Sequence, residues 1–172
     1  MERGNSDVRW IVDLFKAHST MAAVLVPAFM DLDTLPRQVK LFPKRVFIET
    51  ESGYLVLKID ADSGQLQVSA GRALEVPGDL QGEPSVEPVF ADLTLSYLDE
   101  MFALRCVGVT LYLDADSSVS ANRFRALALR FGDERILFFD PFWPAGIRVG
   151  SGFEASRLSA EVPELTSVEL EI

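Results

Sequence analysis

A short turn between two apolar, β-prone runs is the feature that most constrains the fold of this chain. The runs occupy residues 124–131 and 135–139, and Gly132 and Asp133 stand at the start of the connection between them. A turn of this length joins antiparallel neighbours, whereas parallel strands need a crossover of about a dozen residues or more. The sequence therefore predicts a β-hairpin here and an antiparallel sheet around it.

Three earlier segments alternate between apolar and polar residues and are separated by short turns. They cover residues 45–50, 54–60 and 65–69, with turn-forming residues at 51–53 and 62–64. This pattern predicts a three-stranded antiparallel meander.

Helical periodicity is clearest near the N-terminus, over residues 6–17. The apolar residues there recur at i, i+3, i+4 and i+7 and predict one buried face: Val8, Ile11, Val12 and Phe15. Asn5 or Ser6 can cap the first turn of this helix. Residues 20–26 are then apolar and compatible with a strand as far as Pro27.

The remaining segments are less regular. Residues 71–92 combine Gly, Pro and acidic side chains, which predicts a long irregular loop. The spacing in 93–104 favours a helix and leaves a strand open as the alternative. Residues 107–113 read as a strand, and 166–172 alternate Val, Leu and Ile with Glu, as in a half-buried edge strand.

Together these elements predict an α+β fold. We expect residues 1–172 to form a single domain, with the irregular acidic loop near 71–92. Its main part would be an antiparallel sheet of about six to eight strands, packed against the N-terminal helix.

Acidic residues are concentrated in two parts of the chain, which has a net charge of −10. Residues 51–100 hold ten acids against two basic residues, and 151–172 hold five against one, whereas the other two blocks are close to neutral. Duplex binding relies on Lys and Arg placed on phosphates, so this balance argues against nucleic acid and against an anionic membrane surface. It favours a basic protein as the partner.

The chain is expected to be soluble and cytoplasmic. Cys106 is the single cysteine, so no intrachain disulfide can form, which fits a reducing compartment. The longest apolar run, 21–30, is interrupted by Pro27 and is about half the length that spans a bilayer. Glu2 and Asp13 near the N-terminus do not fit a secretory signal.

Two acidic turns resemble each other in sequence. Residues 57–64 read L-K-I-D-A-D-S-G and 111–118 read L-Y-L-D-A-D-S-S. Two related halves and chance use of good turn residues both explain this echo, and the second is favoured. Neither turn has the Gly and Glu positions of an EF-hand loop, so turn chemistry is favoured over a cation site.

Other residues that could indicate a cofactor, metal or catalytic site lack the sequence context that such a site requires. Residues 150–155 match G-x-G-x-x-A, but only 17 residues follow, so a glycine-rich turn into a short helix is expected instead of a dinucleotide site. With His18 as the only histidine and Cys106 as the only cysteine, neither a zinc site of N and S ligands nor a His-dependent nucleophile is expected. No cofactor or metal is predicted, and the sequence does not single out a catalytic carboxylate pair.

The densest aromatic stretch is residues 138–144. Phe138 and Phe139 must face opposite sides of a strand, and Phe142 and Trp143 are expected in a proline-locked loop. Rigid aromatic side chains there can cover the domain's own core, which is favoured, or anchor a partner.

These observations favour a non-enzymatic, partner-binding protein that docks an acidic surface on a basic protein, inhibitor-like or toxin-neutralising (immunity-like) in character. The alternatives are a structural or assembly subunit, and a small-ligand-binding protein or enzyme with a carboxylate-lined pocket near Asp140. The oligomeric state is open. The residues predicted to bind the partner are Asp60, Asp62, Glu83, Glu87, Phe142 and Trp143.

Overall fold

Eleven strands and three α-helices follow one another in the computed structural model, which describes residues 8–98, 103–142 and 144–172. In chain order they are α1 (Arg9–Ala17), β1 (Thr20–Asp31), β2 (Val39–Leu41), β3 (Arg45–Thr50), β4 (Gly53–Ile59), β5 (Leu66–Gly71), β6 (Val86–Asp92), α2 (Thr94–Leu98), β7 (Leu104–Leu113), β8 (Ala126–Phe131), β9 (Ile136–Phe142), β10 (Gly146–Gly150), α3 (Gly152–Glu161) and β11 (Thr166–Glu171). A short 3₁₀ helix, Gly78–Leu80, precedes β6.

Strand β1 is the longest strand of the described residues and pairs with four others, all antiparallel. Leu25 lies opposite Phe47 of β3 and opposite Asp92 of β6, so these two strands occupy opposite edges of β1. β2 continues the edge of β3, and β7 continues the edge of β6. The main path through the sheet is β10-β9-β8-β7-β1-β3-β4-β5, with β11 added to β7.

Pro27 lies within β1 without interrupting it. On one edge, β3 pairs with residues 21–25 and β2 pairs with 28–30, so Pro27 falls in the gap between the two partner strands. Its carbonyl accepts a 2.7 Å hydrogen bond from the Phe42 N–H, and no donor is required of it there.

The main core lies between the curved sheet and helix α1. Ile11 and Phe15 on α1 are at most 1 % exposed and pack among buried residues of both halves of the sheet. Burial of one such side chain contributes about 1.5–3 kcal/mol. A second cluster covers the other face of β8 and β9, where α3 places Ala155 and Leu158 against Phe138.

Several predicted elements are confirmed. Helix α1 lies within the predicted 6–17, the meander forms as β3, β4 and β5, and the hairpin forms as β8 and β9. The antiparallel α+β character is confirmed, and the tail forms β11. Phe139 faces the main core and Phe138 the second cluster, as alternation requires. The suggested caps Asn5 and Ser6 lie outside the described residues.

Other expectations need correction. The strands number eleven among the described residues, more than the six to eight predicted. β1 runs past Pro27 to Asp31, and part of the predicted loop 71–92 is strand β6, because β1 offers it an open edge. Within 93–104, the structure describes a five-residue helix and then the start of β7. None of the helices in the described parts is long and apolar enough to cross a membrane.

The G-x-G-x-x-A segment forms the N-terminus of α3 through a capping box. The Ser151 hydroxyl accepts from the Phe153 N–H, and the Glu154 carboxylate accepts from the Ser151 N–H at 2.7 Å. The hydrogen bond from the Ser151 hydroxyl, followed by those from backbone N–H groups, lowers the pKa of Glu154. A carboxylate already occupies the place where a phosphate would bind, and β9 and β10 are antiparallel, so this is not a dinucleotide site.

Replacing the cap should weaken this helix. We expect Ser151→Ala to lower the free energy of unfolding by about 0.5–2 kcal/mol, because the first turn loses its side-chain acceptor. Ser156→Ala is the matched control: the Ser156 hydroxyl bonds only the Gly152 carbonyl within the helix, so its loss should be close to neutral. Urea unfolding of both variants measures the difference, and equal midpoints would contradict the capping role.

Candidate functional site

Two acidic turns, at residues 60–64 and 114–118, share a hydrogen bond between an aspartate and the serine three residues later. In the first, the Ser63 hydroxyl lies 2.6 Å from Asp60 Oδ2, and in the second the Ser117 hydroxyl lies 2.8 Å from Asp114 Oδ1. Each turn therefore fixes its first carboxylate through the serine three residues later. The sequence echo corresponds to this one shared contact, because the backbone hydrogen bonds of the two turns differ.

Gln65 joins the two turns in space. It is 5 % exposed, and its Nε2 lies 3.3 Å from both carboxylate oxygens of Asp114. Its Oε1 lies 2.9 Å from the Ser117 hydroxyl. The two turns are therefore held side by side, although 49 residues separate Gln65 from Asp114.

The segments that follow the turns also pair with each other. Leu66 and Phe124 exchange backbone hydrogen bonds of 2.8 and 2.9 Å. One step further, the Asn122 side chain accepts from the Val68 N–H at 3.1 Å and donates to the Val68 carbonyl at 2.8 Å. Asn122 has a φ of 54°, a conformation that Asn tolerates better than most residues. The side chain thus completes the pairing where the backbone turns away.

The paired turns form two adjoining concavities of about 450 and 540 Å³, which we call the twin-turn cleft. Asp62 and Ser63 belong to both concavities and separate them. The polar side chains that line the cleft are Asp62, Ser63, Gln65, Asp114, Asp116, Ser117, Arg123 and Arg125.

The outer carboxylates of the two turns are free to meet a ligand. Asp62 and Asp116 are both exposed, and neither side chain takes part in an ion pair or hydrogen bond with another described residue. The inner carboxylates differ, because Asp60 and Asp114 are held by their own turns. Each turn therefore presents one carboxylate on a rigid support.

Two arginines line the same cleft. The Arg125 guanidinium pairs with Asp140, which is 1 % exposed and also pairs with Arg148, so the charge of Arg125 is already partnered. The Nε atom of Arg123 is buried and has no hydrogen-bond partner. The cleft therefore combines two open carboxylates with one guanidinium that makes no side-chain hydrogen bond to the rest of the described chain.

The structure brings some of the predicted site residues together and separates others. Asp60 and Asp62 lie in the first turn, and Pro141, which lines the cleft, directly precedes Phe142. Phe142 is 60 % exposed at the end of β9, so the prediction that it covers the core in a loop is wrong. Trp143 lies outside the described residues.

The other two predicted residues belong to a different surface. Glu83 and Glu87 lie before and within β6, on the far edge of β1 from β3 and β4. Glu83 accepts from the Ser85 hydroxyl, and neither glutamate bonds to the acidic turns. The acidic segment 51–100 is thus divided between two places.

Sequence reasoning missed several cleft residues: Gln65, Asp114, Asp116, Ser117 and Arg123. The repeated D-A-D-S identified the second turn in the sequence, but Asp114 and Asp116 were not among the residues predicted to bind the partner. Nothing in the sequence indicated that Gln65 would be buried between them.

Asp140 does not line a pocket of the kind expected for a carboxylate-dependent reaction. Its two oxygens face Arg125 and Arg148, and it is buried behind them. An apolar concavity of about 280 Å³ next to Arg148 is lined by Phe142 and Ile147. The buried thiol of Cys106 has a pKa raised by burial to about 11, so it stays protonated near neutral pH.

His18 is 7 % exposed and forms a structural hydrogen bond. Its Nδ1 lies 2.8 Å from the Thr50 hydroxyl, which itself donates to the Gly53 carbonyl at 3.1 Å. A hydroxyl has a single proton to donate, so Nδ1 carries the hydrogen and donates to Thr50. Burial lowers the pKa of His18 below 6.5.

Within residues 8–98, 103–142 and 144–172, no three His, Cys, Asp or Glu side chains are close enough together to hold a metal ion. Comparison with protein-family models, curated proteins and solved structures finds no match to the chain.

The hydrogen bonds of Gln65 should hold the cleft together. We expect Gln65→Met to lower the free energy of unfolding by about 1–3 kcal/mol, because Asp114 and Ser117 lose a buried partner. Gln67→Met makes the same chemical change at a half-buried position of β5 and should cost less than half as much. Thermal unfolding of the two variants measures this, and equal losses would contradict the joining role.

His18 should make stability depend on pH. Below about pH 6.5 the unfolded chain takes up a proton that the folded chain, with its lowered pKa, does not, so stability falls as the pH falls through that range. His18→Asn keeps a donor in the place of Nδ1 and does not titrate. Between about pH 7.5 and 5.5 the variant should therefore lose less stability than the parent protein. Parallel pH dependences would show that His18 makes no such contribution.

Proposed function

We propose that this protein is a non-enzymatic binding protein whose twin-turn cleft holds a basic segment of a partner protein. The observation that carries the proposal is the pair of exposed, unpaired carboxylates, Asp62 and Asp116, which line one concavity and are presented by two neighbouring turns. A Lys or Arg side chain between them would form charge-assisted hydrogen bonds without displacing an existing ion pair.

Rigidity supports binding at this position. Asp60, Asp114 and Gln65 already fix the turns by hydrogen bonds, so little conformational freedom remains to be lost when a partner binds. The neighbouring pairing of Leu66 with Phe124 ties both turns to the core. A rigid acidic cleft selects a basic partner more sharply than a mobile acidic loop would.

Arg123 and Phe142 refine the chemistry of the partner. The Arg123 guanidinium lies in the same concavity as Asp116 and has donors for a backbone carbonyl of a bound segment. Phe142 is exposed in a separate apolar concavity, one residue after the cleft residue Pro141, and can pack on an apolar side chain of the same partner. The preferred ligand is therefore a peptide segment with a basic residue followed or preceded by an apolar one.

The charge of the whole chain favours the same class of partner. A net charge of −10 speeds the approach of a basic protein and opposes the approach of nucleic acid or an anionic membrane. An inhibitor or toxin-neutralising protein of the cytoplasm would use such a surface, and this is the specific role that we propose.

The test uses a fluorescent peptide that alternates Arg with Leu as the probe. We expect binding to weaken steeply with salt, and Asp62→Asn with Asp116→Asn to weaken it about tenfold at low salt, a change of about 1.4 kcal/mol. Glu51→Gln with Asp13→Asn removes the same charge from exposed positions in other parts of the fold and is the control. Fluorescence anisotropy gives the dissociation constants. If both double variants weaken peptide binding equally, the effect comes from net charge alone and the cleft is not the binding site.

A further inference from the structure

Strands β2 and β6 lie on opposite edges of the C-terminal half of β1 and form a three-stranded ribbon with it. Within the described residues, neither β2 nor β6 pairs with any other strand, so each has an open outer edge. An open edge presents backbone donors and acceptors to a further strand.

The hydrogen bonds around β2 show which of its backbone groups face outward. Asp31 donates to the Gln38 carbonyl at 3.1 Å and Phe42 to the Pro27 carbonyl at 2.7 Å. Antiparallel pairs alternate, so Lys40 also bonds to β1. The N–H and C=O groups of the residues on either side of Lys40 therefore point away from β1, toward the free edge.

The same reasoning applies to β6. Leu93 donates to the Val24 carbonyl at 2.8 Å and Leu32 to the Ser85 carbonyl at 3.0 Å, so the backbone of Glu87 is bonded to β1. The backbone groups of Val86 and Pro88 therefore point away from β1, toward the open edge of β6.

The outer edge of β6 accepts hydrogen bonds better than it donates them. The Val86 N–H already reaches the Glu83 carbonyl at 3.3 Å, and Pro88 has no N–H. The carbonyls of Val86 and Pro88 are not used by β1. An incoming strand must therefore supply donors, and the outward N–H groups of Val39 and Leu41 on β2 are donors of this kind.

The register that joins the outward N–H groups of β2 to the outward carbonyls of β6 also brings compatible side chains together. With Val39 opposite Pro88 and Leu41 opposite Val86, Lys40 comes to lie opposite Glu87, in addition to its 3.1 Å ion pair with Asp31 of its own molecule. Val39 and Leu41 are 57 % and 49 % exposed, so they are available to pack on a neighbour. Apolar residues then meet apolar ones on one face, and opposite charges meet on the other.

Pairing of like edges is less favourable. A β2 strand added antiparallel to the β2 of another molecule sets Lys40 opposite Lys40, and two β6 strands centred on Glu87 set the glutamates opposite each other. Like charges directly opposite across a strand pair are destabilising. Pairing of a β2 edge with a β6 edge is therefore more favourable than pairing of two β2 edges or of two β6 edges.

We propose that β2 of one molecule adds to β6 of a second copy of this chain, head to tail. The contact is separate from the twin-turn cleft and is independent of the proposed partner. Because the two edges are different surfaces, each molecule can add one neighbour at β2 and another at β6, so the contact builds chains or rings at high protein concentration.

Two charge reversals test the pairing by sedimentation velocity from micromolar to millimolar protein. We expect the parent protein to form growing oligomers and Lys40→Glu and Glu87→Lys each to remain single-chain. An equimolar mixture of the two variants should regain the growing oligomers, because Lys40 of one variant meets Glu87 of the other at one contact and the two reversed charges meet at the next. Lys58→Glu and Glu51→Lys make the same charge changes at exposed positions on β4 and in the β3–β4 turn, and should behave as the parent protein does.

Circular dichroism establishes that each variant is folded before its mass is compared. A parent protein that stays single-chain at millimolar concentration overturns the proposal. If Glu87→Lys leaves a dimer intact, the proposal is overturned in favour of pairing between two β2 edges. If the mixture of the two variants stays single-chain, Lys40 and Glu87 do not lie opposite each other and the proposal is also overturned.

Discussion

The backbone pairing of strand β1 is the constraint on which the rest of this protein depends. β1 shares its edges with β3 and β2 on one side and with β7 and β6 on the other, so the two halves of the sheet cannot form independently of it. Buried residues along its length, Val24, Val26 and Ala28, face the interior of the fold. Because β3 and β7 start from opposite edges of the same strand, the turns that follow β4 and β7 are brought round to meet each other.

That meeting gives the molecule its most distinctive surface. Gln65 and the pairing of Leu66 with Phe124 convert two separate acidic turns into one rigid cleft. Asp62 and Asp116 form no ion pair with another described residue, so both can accept from a cationic side chain, and Arg123 lines the same concavity. The apolar concavity lined by Phe142 is separate from the cleft, although Phe142 directly follows the cleft residue Pro141 in β9.

Sequence patterns predicted the elements whose signals are local. The face of α1, the meander and the β8–β9 hairpin follow from periodicity and turn residues that lie within a few positions of each other. Strand β6 was missed because Pro88 and its acidic neighbours resemble a loop, and its pairing depends on the distant edge of β1. For the site, Asp62 was anticipated from its turn, whereas Asp116 and Arg123 required knowledge of which loops meet. Contacts between distant loops depend on the topology of the sheet, which short-range sequence patterns do not predict.

Pro27 has a consequence for how this sheet can assemble. In the observed alignment, the imino nitrogen of Pro27 lies between the residues of β1 that pair with β3 and those that pair with β2. Sliding β1 by one position against β3 would move that nitrogen toward a carbonyl that needs a proton, and would also turn the apolar face of the strand outward. The ring of Pro27 therefore disfavours pairing of β1 in a shifted register during folding and favours the observed register.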